Sequence, residues 1–340
     1  MTKSNKMLNR IGDAWSNTGS GNYGRYSHTA SVLANGQVLV VGGLNGVALN
    51  NAELYDPLTA VWTTTGSMNY TRYRHTASML SNGNILVTGG LNSVVLDNAE
   101  LYNPSTGMWT ITGSMNYIRC YHAASVLTNG KVLVTGGSSG IPLNHAELYD
   151  PLTGVWTTTG SMNYTRYRHT ASMLSNGNVL VTGGYNGVAL NSAELYNPST
   201  GMWTITGSMH FTRQHHTASV LTNGKVLVTG GYNGVVLNSA ELYDPSTGMW
   251  TITGSMNFSR NSHTASVFTN GQVLVTGGLE NIFLDSAELY DPSTGMWTII
   301  ASMSFTRAFH TASVLTNGKV LVTYGLDNLG VLNSSELYQP

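Results

Sequence analysis

The chain has 340 residues, a net charge of −1 and only 9% charged residues, whereas a typical soluble protein has about 25%. A chain with so few positive charges lacks the basic surface that nucleic-acid phosphates require, so we expect no nucleic-acid partner. Hydrophobic residues make up 41% of the chain. That fraction is enough to bury a core and excludes a disordered protein.

Neither a membrane span nor a signal peptide is predicted. No apolar segment approaches the roughly 20 residues that a membrane-spanning helix needs, and the first 13 residues are polar, unlike a signal peptide. We therefore expect no membrane partner and, by default, a cytoplasmic location. The single cysteine, Cys120, excludes an intramolecular disulfide.

In chain order, residues 1–12 are predicted to be an N-terminal tail, and residues 13–340 to be one domain of seven repeats. All seven tryptophans are 47 residues apart, at Trp15, Trp62, Trp109, Trp156, Trp203, Trp250 and Trp297. Seven of the ten histidines share this spacing, at His28, His75, His122, His169, His216, His263 and His310. One arginine and one Glu-Leu-Tyr triplet also recur in every repeat, the arginines being Arg25, Arg72, Arg119, Arg166, Arg213, Arg260 and Arg307.

The first predicted strand, Ala14–Thr18, carries Trp15 and corresponds to the last strand of a repeat. Each complete repeat contains four strands, which in one example are His216–Leu221, Lys225–Thr229, Ser239–Tyr243 and Met249–Thr253. The turn Thr222-Asn223-Gly224 is predicted to form a hairpin in which both residues of Asn-Gly have positive φ. The chain ends at Pro340, just after a third strand around Glu336–Tyr338.

A repeat of four short antiparallel strands is typical of a propeller blade. The predicted fold class is therefore all-β, a seven-bladed β-propeller. The N-terminal strand is predicted to pair with the strand around Glu336–Tyr338, which completes the last blade and closes the ring. We expect the tryptophans to fill the outer gaps between blades, and the small Thr-Ala-Ser residues of each first strand to lie at the axis.

The repeated residues resemble those of the kelch repeat family. The pattern is Arg213, His216, Gly230-Gly231, Glu241-Leu242-Tyr243-Asp244-Pro245 and Trp250, and it recurs from residue 13 to the end of the chain. The resemblance implies a propeller fold. It also implies a role as a protein-binding scaffold or substrate receptor, or, in a minority of members, as an oxidase.

Differences between the repeats are concentrated in two places that the topology brings to one face. These are the two residues between the repeated arginine and histidine, and the loop that follows Gly-Gly. Tyrosine, arginine and histidine there suit a protein or peptide ligand. The predicted ligand-binding face comprises Tyr26, Tyr73, Arg74, Tyr121, Tyr167, Arg168, Tyr185, Gln214, His215, Tyr232, Asn261 and Phe309.

Several alternatives remain open from the sequence. The same face suits a carbohydrate, and drift of exposed loops after duplication is the functionless interpretation. A copper-radical oxidase is less favoured, because Cys120 and Tyr121 are adjacent on one strand and cannot supply its cross-linked site. The repeated histidines are expected to be hydrogen-bonded scaffold residues, and the repeated arginines to pair with glutamates or carbonyl groups. We thus expect a non-enzymatic monomer without metal or cofactor.

Overall fold

Each 47-residue repeat folds into one four-stranded antiparallel sheet, and seven such sheets form a ring. The computed structural model describes residues 14–340, so the predicted tail over residues 1–12 lies outside the described residues. In six of the sheets the strands lie in sequence order, whereas the seventh takes its outer strand from Ala14–Thr18. No helix in the described part of the chain is long and apolar enough to cross a membrane.

The strands of the blades have nearly identical bounds. Blades 1 and 2 contain Thr29–Val32, Val38–Val41, Ala52–Asp56 and Val61–Thr65, and Thr76–Met79, Ile85–Thr88, Ala99–Asn103 and Met108–Thr112. Blades 3 and 4 contain Ala123–Val126, Val132–Thr135, Ala146–Asp150 and Val155–Thr158, and Thr170–Met173, Val179–Thr182, Ala193–Asn197 and Met202–Ile205. Blades 5 and 6 contain Thr217–Val220, Val226–Thr229, Ala240–Asp244 and Met249–Ile252, and Thr264–Val267, Val273–Thr276, Ala287–Asp291 and Met296–Ile300. Blade 7 contains Thr311–Val314, Val320–Thr323, Ser335–Gln339 and Ala14–Thr18, and a small hairpin, Leu44–Asn45 and Val47–Ala48, follows the second strand of blade 1.

The two ends of the chain close the ring in the predicted way. Ala14–Thr18 pairs antiparallel with Ser335–Gln339, and Trp15 lies opposite Tyr338. The N-terminal strand is therefore the outer strand of blade 7. This confirms the expectation that the termini complete one blade between them.

The core lies between the blades. First strands of neighbouring blades contact each other around the ring, which places their small Thr-Ala-Ser residues innermost. Farther out, Trp109 of blade 2 belongs to one buried hydrophobic cluster with Leu39 and Val41 of blade 1. Its indole N–H donates to the carbonyl oxygen of Gly66 at 2.7 Å. The tryptophans thus fill the outer gaps between blades, as the repeat predicts.

The hairpin turn between first and second strands spans the predicted residues but differs from the prediction at Asn223. Of Asn223 and Gly224 only the glycine has positive φ, at 82°. The Gly224 N–H donates to Leu221 O, the Leu221 N–H donates to Lys225 O, and the Asn223 side chain accepts from the Lys225 N–H. This is a three-residue loop ending in a left-handed glycine, so the expectation of positive φ at Asn223 was wrong.

The repeated arginines and glutamates form buried ion pairs. Arg166 Nη2 lies 2.9 Å from Glu194 Oε1, and neither side chain is exposed. Nη1 of the same arginine donates to the carbonyl oxygens of Gly183 and Ser192. Equivalent pairs occur in the other six blades, so 14 of the 31 charged residues are structural.

Candidate functional site

A closed ring of backbone hydrogen bonds surrounds the axis at one face of the propeller. The residue before each repeated histidine donates its N–H to the carbonyl oxygen of the equivalent residue in the preceding blade, at 3.0–3.3 Å. Because the last blade also bonds to the first, the ring has no end. We call these seven residues the axial collar: Ser27, Arg74, Tyr121, Arg168, His215, Ser262 and Phe309.

Every collar residue adopts the left-handed backbone conformation. Their φ angles lie between 53° and 57°, a region that is costly for residues with a Cβ atom. The seven side chains differ in charge, size and polarity. The collar therefore combines an invariant backbone with variable side chains around one opening.

Two arginines of the collar stack on one tyrosine. The Arg74 guanidinium carbon lies 4.3 Å from the ring centroid of Tyr121, and that of Arg168 lies 4.6 Å from the same centroid. Arg168 also donates to the side-chain oxygen of Gln214 at 3.2 Å. Within residues 14–340, neither arginine forms an ion pair with a carboxylate. The cluster holds two positive charges that the protein itself does not neutralise.

All collar residues except Ser262 line a cavity of about 280 Å³. His215 and Phe309 are part of the lining, with their rings nearly perpendicular and the centroids 6.2 Å apart. Burial, followed by the charges of Arg168 and Arg74, lowers the pKa of His215 to about 3. His215 is therefore neutral near pH 7, and the two guanidinium groups determine the charge of the cavity.

The other predicted site residues lie next to the collar rather than in its cavity. The residue before each collar position forms an isolated bridge with the residue after Gly-Gly, so both variable regions meet on one face. Tyr167 bridges Tyr185, and Gln214 bridges Tyr232. Gln214 is buried and supports Arg168. The remaining bridging residues of the predicted face are Tyr26, Tyr73 and Asn261.

Tyr73 lies in a separate groove between blades 1 and 2. This groove has a volume of about 530 Å³, and its walls are the loops that contain Val47 and Ser93. It opens on the same face as the collar, since the backbone of Tyr73 forms a bridge with Leu91, the residue after Gly-Gly. The face thus has two separate cavities, one at the axis and one between blades 1 and 2.

Two further sets of side chains on this face were missed by the sequence reasoning. One exposed aliphatic residue stands at the tip of each loop after Gly-Gly, at Val47, Val94, Ile141, Val188, Val235, Ile282 and Leu329. One aromatic residue stands in each connection between blades, at Tyr23, Tyr70, Tyr117, Tyr164, Phe211, Phe258 and Phe305, and six of these are exposed. The detectable signal was an apolar residue recurring at a fixed repeat position within a segment of turn residues.

The repeated histidines form structural hydrogen bonds between blades through their Nε2 atoms. Each Nε2 atom lies 2.9–3.2 Å from a threonine hydroxyl of the preceding blade. Cys120 is buried, and its thiol lies 3.5 Å from the carbonyl oxygen of Ser138. No group of three or more histidine, cysteine or acidic side chains suited to hold a metal ion occurs within residues 14–340.

Comparisons with known proteins place the repeats among kelch sequences. A family model described as the KLHDC2/KLHL20/DRC7 Kelch-repeats domain matches residues 157–325. A second model, the Kelch motif, matches residues 25–69, 72–116 and 119–163. No curated protein matches the chain.

One solved structure with a similar fold is a fungal alcohol oxidase of the AA5 family in complex with copper. It has a TM-score of 0.80 and 20% sequence identity, over 96% of this chain and 76% of the oxidase chain. At that identity the likeness concerns the fold alone.

Proposed function

We propose, from the premise that the chain belongs to the kelch-repeat family, that it is a non-enzymatic module whose collar face binds a protein or peptide. Kelch propellers commonly serve as protein-binding scaffolds. The observation that carries the proposal is the collar itself, in which an invariant backbone presents side chains of five types around one opening.

The backbone conformation of the collar argues against drift. Glycine adopts positive φ without a steric cost, and this chain has glycine at 30 positions of positive φ within residues 14–340. Yet all seven collar positions carry a larger side chain despite φ angles above 50°. Strain that is kept at one site is an indication of function there. This supports a role for the collar side chains in binding.

The apolar rim favours a protein partner. The seven aliphatic residues at the loop tips are 61–97% exposed and encircle the face that holds the axial cavity. Single exposed apolar residues are ordinary, but an apolar group repeated around one opening marks an interaction surface. A protein surface or peptide that covers the rim would bury these side chains.

The charge of the cavity identifies the group that would enter it. Arg74 and Arg168 are held by aromatic stacking, their Nε atoms have no hydrogen-bond partner, and His215 adds no charge near neutral pH. Guanidinium groups bind carboxylates through paired hydrogen bonds. A cavity of about 280 Å³ admits one side chain or chain terminus. We therefore expect the ligand to insert a carboxylate between the two arginines.

The test begins with a displayed peptide library selected on the intact chain. Affinities of the selected peptides are then measured by fluorescence anisotropy for the parent and for the double variant Arg74→Ala/Arg168→Ala. We expect the double variant to lose at least roughly tenfold in affinity, because a partly buried charge pair is broken. Replacing the ligand carboxylate by an amide should cause a similar loss.

A matched control removes two positive charges from the opposite face. Lys131 and Lys225 form exposed ion pairs with Asp150 and Asp244 beside the turns of that face. Lys131→Ala/Lys225→Ala should leave the affinities unchanged. Equal affinities for the parent and the arginine variant would refute the carboxylate site, and failure to select any peptide or protein would refute the proposed function.

The exposed aromatic residues support a second candidate, a carbohydrate-binding propeller. Six of the seven are 37–45% exposed, one per blade, and an exposed aromatic ring offers an apolar surface on which a sugar can stack. A glycan array with the intact chain tests this candidate. Glycan binding that persists in Arg74→Ala/Arg168→Ala and is weakened by Tyr164→Ala or Phe211→Ala would support it over the peptide ligand.

A further inference from the structure

The junction between blades 7 and 1 differs from the other six junctions at two facing positions. In the six, the first glycine of Gly-Gly faces a methionine of the next connection, and a Cβ atom added to that glycine would lie 3.0–3.3 Å from the methionine Cε. These pairs are Gly42–Met68, Gly89–Met115, Gly136–Met162, Gly183–Met209, Gly230–Met256 and Gly277–Met303. At the seventh junction Tyr324 occupies the position of the first glycine, and Gly21 occupies the position of the methionine. The larger residue is therefore on the Gly-Gly loop instead of on the connection.

Tyr324 fills the space that a methionine occupies elsewhere. It is fully buried, and its ring centroid lies 5.2 Å from Trp62 and 5.4 Å from His28. Its hydroxyl donates to Glu53 Oε2 at 3.2 Å. A Cβ atom added to Gly21 would overlap the Tyr324 hydroxyl and lie 2.7 Å from its Cζ. The two residues are therefore complementary, and neither fits the partner found at the other junctions.

The backbone of Tyr324 shows that the exchange has a cost. Its φ is +57°, in the region that the six equivalent glycines occupy at 55–61°. A tyrosine there is unfavourable compared with glycine. The residue is kept at this one junction although glycine serves at all the others.

Because the repeats are nearly identical, the N-terminal strand could pair with more than one blade. The N-terminal strand pairs with a Glu-Leu-Tyr strand, and every blade has such a strand. Strand pairing alone does not specify which blade, or which copy of the chain, accepts residues 14–24. Against any Gly-Gly blade, Gly21 would leave the methionine space empty, and a methionine segment placed against blade 7 would overlap Tyr324.

We propose that Gly21 and Tyr324, the closure pair, determine which blade accepts the N-terminal strand and thereby set the ring at seven blades. The pair acts by shape, since a cavity and an overlap are both destabilising in a well-packed core. The inference is independent of any ligand. It concerns how this chain selects one closed ring from several nearly equivalent pairings.

The test compares Gly21→Met, Tyr324→Gly and the double variant Gly21→Met/Tyr324→Gly, which rebuilds the junction found in the other blades. We expect Gly21→Met to lower the melting temperature by roughly 5 °C. Its amide exchange should accelerate in residues 14–18 and 335–339 before other strands. The matched control Gly183→Tyr overpacks the junction of blades 4 and 5 and should leave exchange in residues 14–18 as in the parent.

The double variant separates packing from selection. It should regain most of the lost melting temperature, because methionine then faces glycine. After refolding from urea at high concentration, however, it should give more dimers and larger species on size-exclusion chromatography with light scattering, since its N-terminal strand now fits any blade. The proposal would be overturned if the double variant lost as much melting temperature as the two single variants together. It would also be overturned if the double variant refolded to monomer with the parent's yield.

Discussion

At the scale of single residues, the buried ion pairs explain why so much of the sparse charge recurs. Glu194 accepts from Arg166 through one oxygen and from the backbone and side chain of Asn163 through the other. Burial lowers the pKa of Arg166, and the neighbouring Glu194 opposes that effect. Each glutamate therefore fixes its own blade to the preceding connection. A buried pair of this kind is tolerated because both Glu194 oxygens and both terminal nitrogens of Arg166 have partners, although Arg166 Nε has none.

Breaking one such pair should be strongly destabilising. We expect Glu194→Gln to lower the free energy of unfolding by about 3–5 kcal/mol, because the Arg166 charge stays buried without a counter-charge. Urea unfolding followed by tryptophan fluorescence measures the loss. Asp150→Asn, which removes the acid of the exposed Lys131 pair, is the control and should change little. A small effect of Glu194→Gln would mean that hydrogen bonds, rather than charge, hold this connection.

At the scale of elements, short backbone segments position the site. The connection between blades enters the collar in a left-handed conformation and then continues into the first strand. This reversal places six of the seven collar residues at the wall of the axial cavity. The loop after Gly-Gly is held beside it by isolated bridges. The collar conformation is therefore a property of the ring, which a single isolated blade could not impose.

The cost of that conformation can be measured where the side chain is small. Ser262 has φ 53° and lies in the collar. Ser262→Val should lower the free energy of unfolding by about 1–2 kcal/mol, because a β-branched residue is strained there. Ser262→Gly should be at least as stable as the parent. Ser259→Val, in the same connection but without positive φ, is the control, and equal effects of the two valine variants would refute a strained collar.

At the scale of the whole molecule, the histidines join each blade to the one before it. Most bond to the threonine that begins the preceding first strand, but His169 bonds to Thr135 on a second strand, since blade 3 begins with Ala123. Burial, and then the charges of neighbouring arginines, hold the pKa values of all seven histidines well below 6.5, with His122 at about 3. The folded ring thus keeps them neutral.

This arrangement predicts an acid-sensitive fold. In the unfolded chain the histidines bind protons as the pH falls through about 6.5, whereas the folded chain does not. Their contribution to stability is therefore complete above pH 6.5 and declines below it, by about 1.4 kcal/mol per histidine for each pH unit. Urea titrations between pH 8 and pH 5 should show a plateau followed by a steep loss. A constant free energy of unfolding over this range would contradict the prediction.

Much of the fold could be predicted from the sequence, but less of the site. Two local signals identified the blades and the closing strand. They are the regular spacing of the tryptophans from Trp15 to Trp297 and the turn residues between short strands. The stack of Arg74 and Arg168 on Tyr121 joins residues 47 apart in chain order. Such contacts depend on how blades are oriented around the axis, which strand periodicity does not specify.

The sequence by itself determined a ring of seven repeated sheets with its variable residues on one face. It did so because strand alternation, turn chemistry and repeat length act within about 47 residues. Only the tertiary structure decided that the collar residues bond into a closed circle and that Tyr324 lies against Gly21. It also decided that Asn223 takes no positive φ. These features depend on packing between blades and on the competition of local hydrogen bonds, and both are settled only when the ring is complete.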